Sequence, residues 1–230
     1  MTEEQERQSK AFEAELISDP AEKARREARN GLRQFDQVVE QVEYWLQGDR
    51  KFRFRPSAIL SLHRAALDGI SGYAGIYRPA GIAIQGSTHT PPEAYLVPEL
   101  VEHLCDYVTD NWERSPIHLA AFTLWRMNWI HPFVDGNGRT ARATSFLVLC
   151  VRLGYRLPGT NTIPEQISHD KTPYYKALES ADKADSEGKV DVSQMETLLE
   201  TLLASQLVSI FHDAKGNGPA ALPATAHPTS

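Results

Sequence analysis

The segment His131-Pro132-Phe133-Val134-Asp135-Gly136-Asn137-Gly138-Arg139-Thr140-Ala141-Arg142 lies between two apolar, helix-forming runs. Leu119-Ala-Ala-Phe-Thr-Leu-Trp-Arg-Met-Asn-Trp-Ile130 precedes it and Ala143-Thr-Ser-Phe-Leu-Val-Leu-Cys-Val151 follows. A helix that is apolar on nearly every side has to be buried, so these two runs form the centre of any fold the chain adopts. The glycine-bearing loop between them must then turn back within that core. Polar groups placed there lose hydration and are costly unless they are paired or used. The loop is therefore the candidate site, and the rest of the chain is its support.

Helical periodicity dominates elsewhere. Ser18-Asp19-Pro20 reads as a helix start, with Pro20 in the first helical position and Glu22 in the first turn. Leu32, Phe35, Val38, Val39, Val42, Trp45 and Leu46 carry the period to a stop at Gly48. Further helices are expected at about 57–67, 97–112, 117–129, 138–153, 173–184 and 193–211, with a loop at 154–170. The last has Met195, Leu198, Leu199, Leu202, Leu203, Leu207 and Ile210 on its apolar side. Residues 69–92 are punctuated by glycines. Within them Gly81-Ile-Ala-Ile-Gln-Gly86 alternates like a strand, which predicts a short β-hairpin or flap. The expectation is a mainly α fold: an N-terminal helical extension (1–55), a core (56–185), a C-terminal helix (186–213) and an Ala/Pro/Gly-rich, disordered tail (214–230). Residues 1–17 are charged and read as a frayed helix.

Composition narrows the function classes. With 230 residues, 41% hydrophobic and 23% charged, the chain has material for one substantial core. A net charge of -6 argues against broad nucleic-acid binding. Cys105 and Cys150 lie in apolar helical sequence and are expected as buried free thiols. Met1-Thr-Glu-Glu-Gln-Glu-Arg has no apolar stretch of a secretory signal, and no run approaches membrane-spanning length. The expected location is the cytoplasm, with no membrane partner.

The loop's residue types point to phosphate chemistry. Asn137-Gly138 before an apolar helix presents unpaired backbone amides and the positive end of a helix dipole, which favour an anion. Gly136 and Gly138 let the backbone approach a phosphate closely. Arg139 and Arg142 are three apart in the first turn and can grip neighbouring phosphates. Asp135 suits a Mg²⁺ that bridges phosphate oxygens. His131 can serve as a base near neutral pH. Together these describe phosphoryl or nucleotidyl transfer from a Mg-nucleotide to an activated hydroxyl.

The segment closely resembles the signature of the Fic-domain family, H-P-F-x-D/E-G-N-G-R-x-x-R, with every specified position matched. The resemblance extends over roughly 56–185 and includes Ala74-Gly75-Ile-Tyr-Arg78, the flap sequence after it, Ser115-Pro-Ile-His-Leu-Ala-Ala and Pro173-Tyr-Tyr-Lys-Ala-Leu178. It implies transfer of AMP from ATP, with Mg²⁺, to a Ser, Thr or Tyr hydroxyl of a target protein. By motif position, His131 takes the hydroxyl proton and Asp135 holds Mg²⁺. Asn137 and the amides around Gly136 and Gly138 hold the α-phosphate, Arg139 the β-phosphate and Arg142 the γ-phosphate. The flap residues Ile82, Ala83, Ile84, Gln85, Gly86, Ser87, Thr88 and His89 pair with the target strand. On neighbourhood alone, Tyr174 or Tyr175 is a candidate to flank adenine. Gly138, where one branch carries Lys and moves a γ-phosphate, favours nucleotidyl transfer.

Alternatives stay open: UMP, GMP or phosphocholine transfer, removal of AMP, or a non-enzymatic nucleotide-binding module. Many relatives of this kind are silenced by a helix with S/T-x-x-x-E-G/N. Ser18 to Glu22 and Ser9 to Glu13 have the spacing and fail at the last position, and Glu27 lacks the Ser. Glu22 and Glu27 are the candidate inhibitory residues. His118 reads as a hydrogen-bonded helix residue, His63 and His169 have no evident partner, and Trp112, Trp125 and Trp129 read as core. A homo-oligomer through exposed helix faces is a further open point.

Overall fold

The computed structural model describes residues 9–10, 16–48 and 50–216. Strand β1 is Ser9–Lys10, and helix α1 spans Pro20–Leu46. Then come α2 (Pro56–Leu67), strand β2 (Ala83–Ile84), a 3-10 turn (Ala94–Leu96) and α3 (Val97–Asp110). The remaining helices are α4 (Pro116–Ile130), α5 (Asn137–Leu153), α6 (Ile163–His169), α7 (Thr172–Ser186) and α8 (Ser193–Gly216). The tail expected at 214–230 lies outside the described residues from 217 on, and the helix expected at 1–17 lies largely outside them. At Ser9–Lys10 the backbone is strand instead of helix.

Helices α4 and α5 form the central pair, as their unbroken apolar sequence demands. Trp125, Leu124, Met127 and Ile130 of α4 and Leu147, Leu149 and Phe146 of α5 are buried in one cluster. Small residues face each other between the two axes. Ala120, Ala121 and Ala141 are fully buried, and the Ser145 hydroxyl donates to the Ala120 carbonyl at 2.8 Å. Helix α1 packs on α2 and α5, and α8 on α4 and α7. Trp125 is core as expected, with its indole N–H on Asp182 at 2.8 Å, while Trp112 and Trp129 are partly buried against the cluster. Both cysteines are buried and free, and burial raises the Cys150 thiol to about 11.

Helix α1 starts where expected, with the Asp19 carboxylate accepting from Ala21 N–H at 3.0 Å. Its inner face differs from the apolar reading. Leu32 is 71% exposed, while Asn30, Gln34, Val38 and Val42 are buried, four apart along one stripe. The reason is α2, whose last carbonyls need donors and which offers a further carbonyl one turn earlier. Asn30 Nδ2 donates to Ala66 O and Asp68 O, and Gln34 Nε2 donates to Leu62 O. Two buried amides thus replace the apolar contacts that periodicity suggested. The loop expected at 154–170 contains α6. Thr162 caps it by accepting from Glu165 N–H, a T-x-x-E start present in the sequence.

The flap is present, with alternating half-buried and exposed residues at 82–85 and a turn closed by Ser87 N–H on Ile84 O at 3.2 Å. Its strand does not pair within a local hairpin. Ala83–Ile84 runs antiparallel to Ser9–Lys10, with Ser9 opposite Ile84 and Lys10 opposite Ala83. A two-residue limb is too short to fold back on itself, so a strand from the N-terminal segment supplies the partner.

Candidate active site

The turn between α4 and α5 is built by its own polar side chains. Asn137, the first residue of α5, is buried. Its carboxamide oxygen accepts from Phe133 N–H at 2.9 Å and its amide donates to Phe133 O at 2.8 Å. Both atoms are committed to the backbone of one residue, which closes the loop into a fixed ring. Gly136 caps α5 with φ +75, and a Cβ there would stand 2.4 Å from Leu67 Cδ2. Glycine is therefore required by dihedral and by packing. The N–H groups of Asn137, Gly138 and Arg139 follow at the start of the helix, where no carbonyl lies behind them, and Thr140 N–H on Gly136 O is the first closing bond. Arg142 Nη1 lies 3.3 Å from the position a Cβ on Gly138 would take, so this guanidinium folds back toward the same helix end. These features make an anion cradle.

His131 ends α4 in the left-handed region, with φ 50 and ψ 60, the one positive-φ non-glycine residue among those described. Such a backbone costs about 1–2 kcal/mol and has to be held. Arg78 holds it. Buried at 3% exposure, its Nε donates to His131 O at 2.8 Å and its Nη atoms reach Ala80 O, Pro92 O and Ile130 O. Its own N–H donates to Pro132 O. One guanidinium thus ties the 131–142 loop to both ends of the flap. Burial lowers its pKa, with the Glu93 carboxylate acting the other way. His89 makes a second anchor, donating from Nε2 to Trp129 O at 2.8 Å.

The His131 imidazole is 7% exposed, and burial lowers its pKa to about 4. The Asn128 carbonyl, 3.3 Å from Nδ1, opposes that shift, and the Arg78 charge reinforces it. The ring is therefore neutral at neutral pH. A proton on Nδ1 facing Asn128 O leaves the lone pair on Nε2, the arrangement a general base needs.

His63 is a site residue that sequence reasoning did not connect. Gly75 N–H donates to its Nδ1 at 2.9 Å, so Nε2 carries the proton and donates to Asp135 O at 3.0 Å. Its ring stacks on Phe133 at 3.6 Å and 5°. Burial lowers its pKa to about 4 as well. The signal available was its position on the inward face of α2, but its hydrogen-bond partners lie 12 and 72 residues further along the chain.

Asp135 and Arg139 stand at the mouth. Asp135 Oδ1 accepts from Gly136 N–H at 2.5 Å, and Oδ2 accepts from Arg139 Nη2 at 3.1 Å. Arg139 Nη1 also pairs with Glu27 of α1 at 3.3 Å. Glu22, one turn and more before it, is exposed. Tyr174 is buried in the core and Tyr175 is half-buried beside it, so Tyr175 has the more ring surface to offer a base. His118 is structural, as expected. Its Nδ1 meets Glu196 at 2.6 Å and its Nε2 meets Tyr107 Oη at 2.9 Å, which fastens α4 to α8 and α3.

No cluster of three metal-ligating side chains exists among the described residues. Asp135 offers a carboxylate that is 47% exposed at the lip of the anion cradle. One carboxylate suits an ion that arrives already held by substrate phosphates, and does not suit a resident site.

Known proteins of similar sequence and fold cover this region. Residues 53–149 match the model of the Fic/DOC family. A Fido domain-containing protein of Dictyostelium discoideum is 30% identical over 132 residues, 54% of this chain and 87% of its own length. The protein adenylyltransferase Fic of Drosophila willistoni is 34% identical over 132 residues, 55% of this chain. The match spans only 24% of that relative. A Fic domain-containing signaling protein from Bacteroides thetaiotaomicron superposes with a TM-score of 0.69 at 22% identity, covering 89% of this chain and 78% of that one.

Proposed function

The chain belongs to the Fic/DOC family, and on that premise we propose that it is a protein adenylyltransferase, moving AMP from ATP to a Ser, Thr or Tyr hydroxyl of a target protein. The observation that carries the reading is the juxtaposition of a neutral, buried His131 with the α5 N-terminus, Asp135 and two arginines. The name of the Drosophila relative supports it. No helix among the described residues is long and apolar enough to cross a membrane.

In this reading the target hydroxyl attacks the α-phosphorus of ATP. A new O–P bond forms, the bond from the α-phosphorus to the bridging oxygen breaks, and pyrophosphate leaves. His131 Nε2 takes the hydroxyl proton. The amides of Asn137, Gly138 and Arg139 receive the charge that develops on the α-phosphate oxygens, while the Asn137 side chain keeps them in position. Arg139 and Arg142 hold the β- and γ-phosphates. Asp135 would hold Mg²⁺, which supplies charge neutralisation to the phosphates when bound. The flap at 82–89 would align an extended target segment by strand addition.

Arg139 must exchange Glu27 for a phosphate in this scheme. Glu27, and not the exposed Glu22, is therefore the inhibitory candidate on α1. The decisive assay follows label from ATP, at α and at γ in parallel, into the protein itself and into lysate proteins with Mg²⁺. Transfer from the α position alone, dependent on His131 and with ATP binding retained in H131A, is the expected result. Transfer from γ alone, or an undiminished H131A variant, would overturn the reading.

A further inference from the structure

An isolated two-residue strand on an exposed flap is an open edge, with backbone N–H and C=O groups available to any extended segment. In this chain the edge is taken. Ser9–Lys10 lies antiparallel on Ala83–Ile84, residue against residue. The connection back to the fold is short. Leu16 N–H donates to Ile70 O at 3.3 Å, and Ile17 packs on Ala66, Leu67 and Ile70, the same Leu67 that abuts Gly136. Further along, Glu27 meets Arg139. The segment before α1 thus reaches the flap while α1 itself reaches the phosphate side.

We propose that the backbone stretch at Ser9–Lys10 is a built-in competitor for the flap, seated where an extended target strand would pair. This rests on the flap's proposed role in target docking, and it adds the occupant that the role does not require. The physics makes the contact displaceable. Two residues of ladder are marginal alone, and it is the short tether to Leu16 that favours them, through an effective concentration of about millimolar. A target strand that binds better than this, or a change that draws the N-terminal segment away, opens the edge. If the edge is free about one tenth of the time, an external strand binds about tenfold more weakly than to a fully open edge.

The test uses the full chain and no nucleotide, so its outcome is independent of whether AMP transfer is the reaction. In a double variant, S9P/K10P, proline removes both backbone N–H groups from the segment, whereas K10A keeps them. Two measurements are made: amide hydrogen exchange at Ala83 and Ile84, and binding of a synthetic peptide of residues 5–14. Hydrogen-bonded and non-bonded pairs alternate in an antiparallel ladder, so one of these two amides faces the Ser9–Lys10 strand. The expected result is faster exchange at that amide in S9P/K10P, with the parental rate in K10A. Peptide binding should be about tenfold tighter to S9P/K10P than to the parent, and the added peptide should restore protection. Equal exchange in parent and S9P/K10P, or equal peptide affinity for the two, overturns the proposal. Opening by K10A as much as by S9P/K10P also overturns it, because the contact would then be one of side chains.

Discussion

The loop at 131–142 and the flap at 82–89 would serve one reaction in the proposed function, and they are built in opposite ways. The loop is largely buried and self-satisfied: Asn137 bonds both the N–H and the C=O of Phe133, His63 bridges Gly75 to Asp135, and Gly136 is pressed against Leu67. The flap alternates half-buried and exposed residues and is held at its ends, by Arg78 at Ala80 and Pro92 and by His89 at Trp129. Stabilising charge on a phosphate needs donors that do not move during the reaction. Receiving a polypeptide needs a backbone edge that is still open. Arg78 joins the two, because the group that holds the strained His131 peptide also sets where the flap begins and returns.

The contrast can be broken in graded ways. The largest effect expected is on chemistry. His131→Ala should reduce label transfer by about 10²–10⁴-fold with little change in thermal stability, as measured by initial rates and a melting curve. Arg78→Met should act on both regions at once. Leaving several buried carbonyls unpaired should cost about 3 kcal/mol in denaturant unfolding and raise hydrogen exchange along the flap. Substitution in the loop alone should separate the two glycines. Gly136→Ala combines a strained φ with a clash on Leu67 and should cost about 2–4 kcal/mol. Gly138→Ala meets only the movable end of Arg142 and should cost under about 1 kcal/mol, while impairing nucleotide binding.

The pH dependence sharpens the same comparison. His63 and His131 fold with pKa values of about 4, below the 6.5 they hold when exposed. Between those values the unfolded chain binds more protons, so stability is full above about pH 6.5 and is lost as pH falls toward 4. The loss is on the order of 2–3 kcal/mol per buried histidine. His63→Phe, which keeps a ring against Phe133, should flatten part of that slope in urea titrations from pH 7 to 4. The smallest effect belongs to α1. The Glu27–Arg139 pair is partly exposed and worth about 1 kcal/mol at most, so Glu27→Gly should raise transfer about fivefold at limiting ATP and Glu22→Gly should leave it unchanged. No gain from either would remove α1 from the regulation of this site.

Much of the fold was legible because its signals are local. Pro20, Pro56, Pro116 and Pro173 mark helix starts, and the apolar runs around the loop leave burial as the only option for α4 and α5. The loop residues were legible for the same reason, since they are contiguous and their chemistry is carried by residue type. Short α6 was legible only in its Thr162 cap. What was hidden depended on partners distant in sequence. Asn30 and Gln34 look like surface residues until the end of α2 is placed against them, and His63 has no role until Gly75 and Asp135 converge on its two nitrogens.

The sequence by itself determined that a glycine loop with His131, Asp135, Arg139 and Arg142 would open onto a helix start inside an apolar core. Composition and spacing suffice for that, because periodicity, capping and backbone freedom act over a few residues. Tertiary structure alone decided which tautomer His63 holds, that Arg78 staples His131 to the flap, that Glu27 faces Arg139, and that Ser9–Lys10 lies on Ala83–Ile84. Each of these is a bond between groups far apart in the chain. Its existence follows from which carbonyls and amides the packed helices leave without a partner, and that is known only once the helices are packed.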